Sequence, residues 1–115
     1  MKRMLLPWLA VLLLVSCGDA PKGGAQKIAI AGARLEPGGG KPVIPYSIVI
    51  VENGRIKAAG EQAEVPLPKD AEIINGLEHT IAPIGPGVIE PGKPANFIFK
   101  SPQGTRTMRE GKWQP

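Results

Sequence analysis

The chain has 115 residues, enough for one small domain, and carries 14 basic against 10 acidic residues for a net charge of +4. Its basic residues are scattered and aromatic residues make up 4% of the chain. Nucleic-acid binding requires a basic stripe interleaved with aromatic side chains. Composition therefore favours a single small domain and argues against a nucleic-acid partner.

The N-terminus has the features of a secretory signal peptide. Lys2 and Arg3 precede an apolar run at residues 5–16 (LLPWLAVLLLVS), which ends at Cys17. This run is about a dozen residues long, short of the roughly 20 that span a bilayer but typical of a signal peptide. We predict a signal peptide at residues 1–16. The alternative, a core helix, is disfavoured because every side of that helix would be apolar.

The residues around Cys17 resemble the lipobox of bacterial lipoproteins. Leu14, Val15 and Ser16 have the required aliphatic, branched and small side chains, and Cys17 is the only cysteine, so it has no intramolecular disulfide partner. The resemblance implies cleavage before Cys17 and a diacylglyceryl thioether on its thiol. Several acyl chains anchor firmly, because each buried methylene contributes about 0.8 kcal/mol. A free or intermolecularly paired thiol is the alternative.

Residues 17–26 follow as the lipidated cysteine and a tether. The segment has no hydrophobic period and is rich in glycine and alanine, which predicts a flexible linker. Gly18 stands where lipoproteins of the enteric type that stay in the inner membrane have an acidic residue, so the resemblance favours the outer membrane over the inner. We predict a periplasm-facing protein of the bacterial cell envelope, with the membrane and an envelope protein as partners.

From residue 27 onward, short β-rich runs alternate with glycine and proline, and no segment has a 3.6-residue apolar period. In residues 27–36, Ile28 and Ile30 share one face. The three glycines within residues 37–42 predict a loop. Residues 46–60 contain a β-branched run at 48–51, followed by Asn53-Gly54, which predicts a type I′ hairpin.

The second half of the chain repeats this pattern. After two prolines in residues 64–74, Asn75-Gly76 predicts a second turn, with residues 77–83 (LEHTIAP) as the return strand. Phe97 and Phe99 share one face of a strand at 95–100, and Glu110-Gly111 predicts a last hairpin within 105–113. The sequence therefore predicts an all-β fold over residues 27–115, a small β-sandwich of short antiparallel strands and hairpins.

Several segments resemble the amidohydrolase superfamily of metal-dependent hydrolases, in particular its imidazolonepropionase-like and dihydroorotase-like members. SIVIVENGRIKAAG (47–60) and DAEIINGLEHTIAPIGPG (70–87) are similar to the family's N-terminal hairpin and strand pair. GVIEPGKPANFIF (87–99) resembles its C-terminal signature, and TMREGKW (107–113) resembles its closing hairpin. In that family both chain ends form a small β-sandwich, the composite domain, beside a metal-dependent (β/α)8 barrel. The resemblance implies a composite-like domain at residues 27–115.

The chain departs from the family where the barrel would begin. APIGPGV (82–88) carries no His-x-His, the family's first two metal ligands, and leads directly into the C-terminal signature. Asn96 also stands where the family most often has Asp. We therefore predict a pseudoenzyme without metal, cofactor or catalytic residue, acting as a binding or structural module. The main alternative is a subunit of a split amidohydrolase that docks onto a separately encoded barrel; an edge-strand binder and a decayed gene are further alternatives.

Few other residues carry catalytic chemistry. A hydrolytic metal site requires at least three protein ligands, and the sequence has a single histidine, His79. We therefore predict that His79 is a solvent-facing residue of a strand and not a metal ligand. Ser47 and Ser101 lie in no pattern typical of a nucleophile elbow. Glu90 is predicted to be a solvated turn carboxylate, and GGGK (38–41) lacks the Lys-Ser/Thr pair of a phosphate-binding loop.

Overall fold

A computed structural model describes residues 27–115, which form eight β-strands. The strands are β1 (Lys27–Leu35), β2 (Ile44–Glu52), β3 (Arg55–Glu61), β4 (Glu72–Asn75), β5 (Thr80–Pro83), β6 (Phe97–Ser101), β7 (Gly104–Arg109) and β8 (Lys112–Trp113). No helix within these residues is long and apolar enough to cross a membrane. The predictions for residues 1–26, the signal peptide, lipobox, lipidated Cys17 and tether, lie outside the described residues.

All eight strands belong to one mixed sheet. Its order is β3-β2-β1-β5-β6-β7-β8, and β4 pairs with β1 next to β5. The prediction of a small all-β domain is confirmed. Five of the strand pairs are antiparallel, as predicted, and the sheet also contains two parallel pairs that were not predicted, because β4 and β5 both run parallel to β1. Alternation and turn residues report only on local pairing, whereas these parallel pairs join segments far apart in the sequence.

Two of the predicted hairpins are confirmed. Asn53 and Gly54 connect β2 to β3 with φ angles of 53° and 81°, and Glu110 and Gly111 connect β7 to β8 with φ angles of 51° and 84°. Positive φ at both central residues is the requirement of a type I′ turn. The two turns also touch, because a Cβ added to Gly111 would lie 2.6 Å from the Cα of Gly54. The N-terminal and C-terminal hairpins therefore meet at their tips.

The turn predicted at Asn75-Gly76, with residues 77–83 as a return strand, was wrong. Both β4 and β5 run along β1 in the same direction, so the chain does not reverse between them. The amide of Leu77 donates to Oδ1 of Asn75 at 2.9 Å, which stabilises a short loop. A Cβ at Gly76 would lie 2.8 Å from the Cβ of Ala33. This glycine therefore permits close packing against β1 and does not form a hairpin turn.

The sheet curves around one main core. Ile56 of β3, Ile81 of β5 and Met108 of β7 are at most 1% exposed and belong to the same cluster. Phe97 and Phe99 point into this core from one face of β6, as predicted. The other buried members are Ile28, Ile30, Ala33, Leu35, Val49, Val51, Ile89 and Ala95. Strands from both halves of the sheet thus share one enclosed apolar interior, the main source of folding free energy.

Backbone hydrogen bonds close the curved sheet. The amide of Ile56 donates to the carbonyl of Lys93 at 2.8 Å, and the amide of Gly92 donates to the carbonyl of Ile56 at 2.8 Å. Ala95 likewise donates to the carbonyl of Gly54 at 2.9 Å. The first part of β3 is therefore joined to the segment that precedes β6, and the backbone amides of the buried residues Ile56 and Ala95 are paired.

Candidate binding surfaces

The junction between the two family-like segments is a packed surface turn at residues 84–88. Pairing of β5 with β6 places Pro83 opposite Phe97, so the chain reverses between them. The amide of Gly87 donates to the carbonyl of Ile84 at 3.2 Å. A Cβ at Gly38 would lie 2.9 Å from the carbonyl oxygen of Gly87, so the glycine-rich loop between β1 and β2 packs directly on the junction. A few residues suffice to connect the two segments.

A groove of about 350 Å³ lies beside this turn, and we name it the junction groove. Its lining residues are Ile84, Pro86, Gly87, Val88, Lys93, Pro94, Asn96 and Arg109. Lys93 and Arg109 are exposed cations, and the lining includes no carboxylate. The groove therefore has a positive electrostatic character.

Asn96 links this groove to the last hairpin. Its Oδ1 accepts a hydrogen bond of 2.6 Å from the amide of Glu110, which fixes the β7–β8 turn. An aspartate oxygen would accept the same bond, so either side chain can make this contact. Because Oδ1 accepts this bond, the side-chain nitrogen of Asn96 is left to interact with another group, and it can only donate.

His79 lies in the loop before β5, and the prediction of a solvent-facing strand residue was wrong. Its half-buried ring stacks on Phe99, with centroids 4.2 Å apart and planes 7° from parallel. Nδ1 of His79 lies 2.9 Å from the carbonyl oxygen of Leu77. These contacts hold the 76–79 loop against β6. The sequence does not show this stack, because only the pairing of β5 with β6 brings the two rings together.

The aromatic contacts continue to the end of the sheet. Phe99 lies 5.7 Å from the ring of Trp113, and the guanidinium carbon of Arg106 lies 4.1 Å above that ring. A cation in this position is attracted to the negative face of the indole. The stack is a stabilising feature that joins β6, β7 and β8.

The other polar residues singled out in the sequence maintain the fold. Ser47 is fully buried and its Oγ donates to the carbonyl of Ala33 at 2.8 Å. Glu90 is not a fully solvated carboxylate, because its Oε1 lies 3.0 Å from Nζ of Lys41. Ser101 Oγ accepts a hydrogen bond of 3.2 Å from the amide of Gln103. Within residues 27–115, no group of three His, Cys, Asp or Glu side chains could hold a metal ion.

The outer side of the sheet carries a second, smaller apolar cluster. Ala29, Ile48 and Ile50 are its buried members, and partly buried side chains that include Val65 and Ala71 pack against them. The segment between β3 and β4 thus covers part of this side. Further along the same side, three large side chains stay exposed.

These three side chains, Tyr46, Ile73 and Leu77, are 63%, 50% and 54% exposed, and we name them the apolar face. Ile73 lies opposite Ala29 in the β1–β4 register, so both point to the outer side. Tyr46 and Leu77 line one depression of about 550 Å³. Within residues 27–115, β4 pairs only with β1, so the other side of β4, the strand that carries Ile73, is an open sheet edge.

Comparisons with known proteins give only partial matches. No protein-family model and no curated protein matches the chain. Among solved structures, molinate hydrolase matches with 29% identity and a TM-score of 0.46, over 51% of this chain and 13% of that chain. A candidate prolidase from Bifidobacterium longum matches with 18% identity and a TM-score of 0.46, over 51% of this chain and 15% of that chain. Both belong to the amidohydrolase family, and the chain spans only a small part of each.

Proposed function

We propose that the protein is a lipid-anchored, non-catalytic β-domain of the bacterial cell envelope, related to the amidohydrolase composite domain and acting as a binding module. The observation that carries the relationship is the junction. There the segments resembling the two ends of an amidohydrolase pair as β5 and β6 and share one core. Residues 84–88 connect them as a surface turn at the position where the family has its barrel.

The apolar face supports a binding role. Exposed apolar patches on soluble domains mark interaction sites, and an open strand edge is a template for pairing with another chain. Ile73 lies on β4 itself and Leu77 follows that strand, whereas Tyr46 lies on β2, on the other side of β1. A protein partner in the envelope would therefore bury these side chains and pair with β4.

Site-specific photo-crosslinking in native membranes tests the binding role. A photoreactive residue in place of Leu77 should give one dominant crosslinked protein, because this position is 54% exposed and lines the same depression as Tyr46. The matched control carries the same residue at Thr105, an exposed position on β7. Equal crosslinking patterns at both positions, or none at either, would contradict the proposed binding face.

Metabolic labelling with palmitate tests the anchor separately. The native chain should incorporate label and fractionate with membranes. A Cys17→Ser variant should lose both properties, since the acyl chains supply the membrane affinity. Membrane association of the unlabelled variant would mean that the anchor is not on Cys17.

Folding of the isolated domain tests the absence of a structural metal. Residues 18–115 should give the circular dichroism of a folded β-protein in the presence of a strong chelator, because the core in the described residues is built from apolar side chains. A β-signal that appears only when a divalent metal is added would contradict a metal-free module.

The second candidate function is a subunit of a split amidohydrolase that docks onto a separately encoded barrel. The apolar face favours it as well, because an isolated composite-like domain would lack the neighbour that covers such a surface. In this case the protein crosslinked at Leu77 would be a barrel without its own composite domain, encoded nearby. Hydrolase activity would then require both chains, and a crosslinked partner of any other fold would remove this candidate.

A further inference from the structure

We propose that the junction groove binds an oxyanion, a carboxylate or phosphate, carried on a small apolar body. Two cations, Lys93 and Arg109, line the groove together. The salt bridges within residues 27–115 use other basic residues, namely Lys27, Arg34, Lys41 and Lys57. Neither groove cation is therefore neutralised by a carboxylate of the described domain, and an oxyanion is the group that such cations bind most strongly.

The carboxylate nearest to Arg109 in the sequence, that of Glu110, lies outside the junction groove. Glu110 follows Arg109 directly, yet it lines a neighbouring depression together with Arg55 and Asn53. The junction groove itself has no acidic lining residue. An anionic ligand in the groove would consequently meet two positive charges and no carboxylate in its wall.

Asn96 adds a neutral donor to the same lining. Its Oδ1 is fixed by the amide of Glu110 at 2.6 Å, so the orientation of the side-chain amide is set before any ligand arrives. The remaining NH2 group donates hydrogen bonds only. A preorganised donor of this kind favours an acceptor ligand and excludes a cation.

The rest of the lining is apolar and conformationally restricted. Ile84 and Val88 are half-buried, and Pro86 and Pro94 stand at the rim. The volume of about 350 Å³ is near the lower end of small-molecule sites, which range from roughly 300 to 1,000 Å³. The groove therefore suits a compact ligand with one charged end and one apolar end, such as an aryl or short acyl oxyanion.

Amide chemical shifts of the protein in the processed form that cells produce test this proposal, with benzoate and phenyl phosphate as the anionic probes. Both probes should shift the amide signals of Gly87 and Asn96 with the same saturation curve. Benzyl alcohol, which has the apolar body but no charge, should bind at least tenfold more weakly. The ratio of the two anion affinities identifies the preferred head group, carboxylate or phosphate.

Matched variants test the residues. Lys93→Ala and Arg109→Ala should each lower the affinity of the tighter-binding anion at least fivefold. Lys100→Ala, which removes an exposed cation outside the groove, should change that affinity by less than twofold. Arg109→Lys should retain most of the affinity because it keeps the charge. Unchanged affinity in the Lys93→Ala/Arg109→Ala double variant, with its amide spectrum still dispersed, would overturn the proposal.

Two further results would also count against it. Saturable shifts confined to residues outside the groove would place the anion elsewhere. Equal affinity for inorganic phosphate and phenyl phosphate would show that the apolar part of the ligand does not contribute to binding. Neither result bears on the anchor or on the apolar face, so this proposal can fail without affecting the proposed function.

Discussion

Two isoleucine side chains on opposite sides of the sheet differ in their exposure to solvent. Ile81 of β5 is fully buried in the main core, whereas Ile73 of β4 is half exposed on the apolar face. Both strands lie parallel to β1, one after the other. The inner side is enclosed by the domain's own strands, and the outer side is covered only in part. This difference separates residues that stabilise the domain from residues that remain exposed to solvent.

The largest effect is expected on the inner side. Ile81→Ala should lower the free energy of unfolding by about 2–5 kcal/mol, because it removes buried methyl groups and leaves a cavity between β1 and β6. Urea unfolding followed by circular dichroism measures the change. A loss below about 1 kcal/mol would mean that the core around β5 is not closed.

A second large effect is expected where the two hairpin tips meet. Gly111→Ala should cost about 2–4 kcal/mol, since the residue has positive φ and its new Cβ would lie 2.6 Å from the Cα of Gly54. Gly40→Ala is the matched control, with a φ of 78° but open space around its Cβ. It should cost only about 1–2 kcal/mol, the conformational part alone. Equal losses in the two variants would exclude close contact between the tips.

On the outer side, Ile73→Ala should have little effect on stability. A half-exposed side chain leaves little buried area to lose, so the unfolding free energy should change by about 1 kcal/mol or less. Crosslinking from Leu77 should nevertheless decrease, because Ile73 belongs to the same apolar face. A stability loss as large as that of Ile81→Ala would show that this side is also closed.

The smallest effect is expected at the surface ion pair that joins the start of β1 to the segment before β4. A hydrogen bond from Nζ of Lys27, at 3.2 Å, lowers the pKa of Asp70. A hydrogen bond from the backbone amide of Asp70 itself and the positive charge of Lys27 lower this pKa further. The folded-state pKa is thus below the unfolded one. The stabilisation is present above the ordinary carboxylate pKa and is lost as pH falls through the folded value.

An Asp70→Asn variant should therefore melt slightly below the native protein at pH 7, and the two melting temperatures should converge as the pH falls through the lowered pKa of Asp70. Because Asp70 is exposed, high salt should also reduce the difference. A difference that grows on acidification would mean that the pair destabilises the fold.

Local sequence patterns predicted the local parts of the fold. Asn53-Gly54 and Glu110-Gly111 formed the expected turns, and Phe97 and Phe99 shared a face, because each depends on residues close in the chain. Asn75-Gly76 showed the limit of such patterns. The dipeptide is typical of a hairpin, yet here the glycine lies against Ala33 and the chain continues alongside β1.

The candidate surfaces were less accessible to sequence reasoning. The junction was identified as the point where two family-like segments meet, but the groove beside it combines Asn96 and Arg109, which only the β6–β7 pairing brings together. The apolar face likewise depends on the parallel pairing of β4, which places Ile73 on the outer side. Long-range pairing determines both surfaces, and no local periodicity encodes it.

The contact between Gly54 and Gly111 has a consequence for how the chain folds. The two glycines belong to hairpins far apart in the sequence, β2–β3 and β7–β8, so their contact forms only after the last hairpin has formed. Contacts between residues so distant in sequence slow the folding of β-proteins to milliseconds or seconds. A chain leaving the ribosome would therefore remain without its closing contact until the final hairpin emerged. During that interval the strand edges and apolar side chains stay open to chaperones.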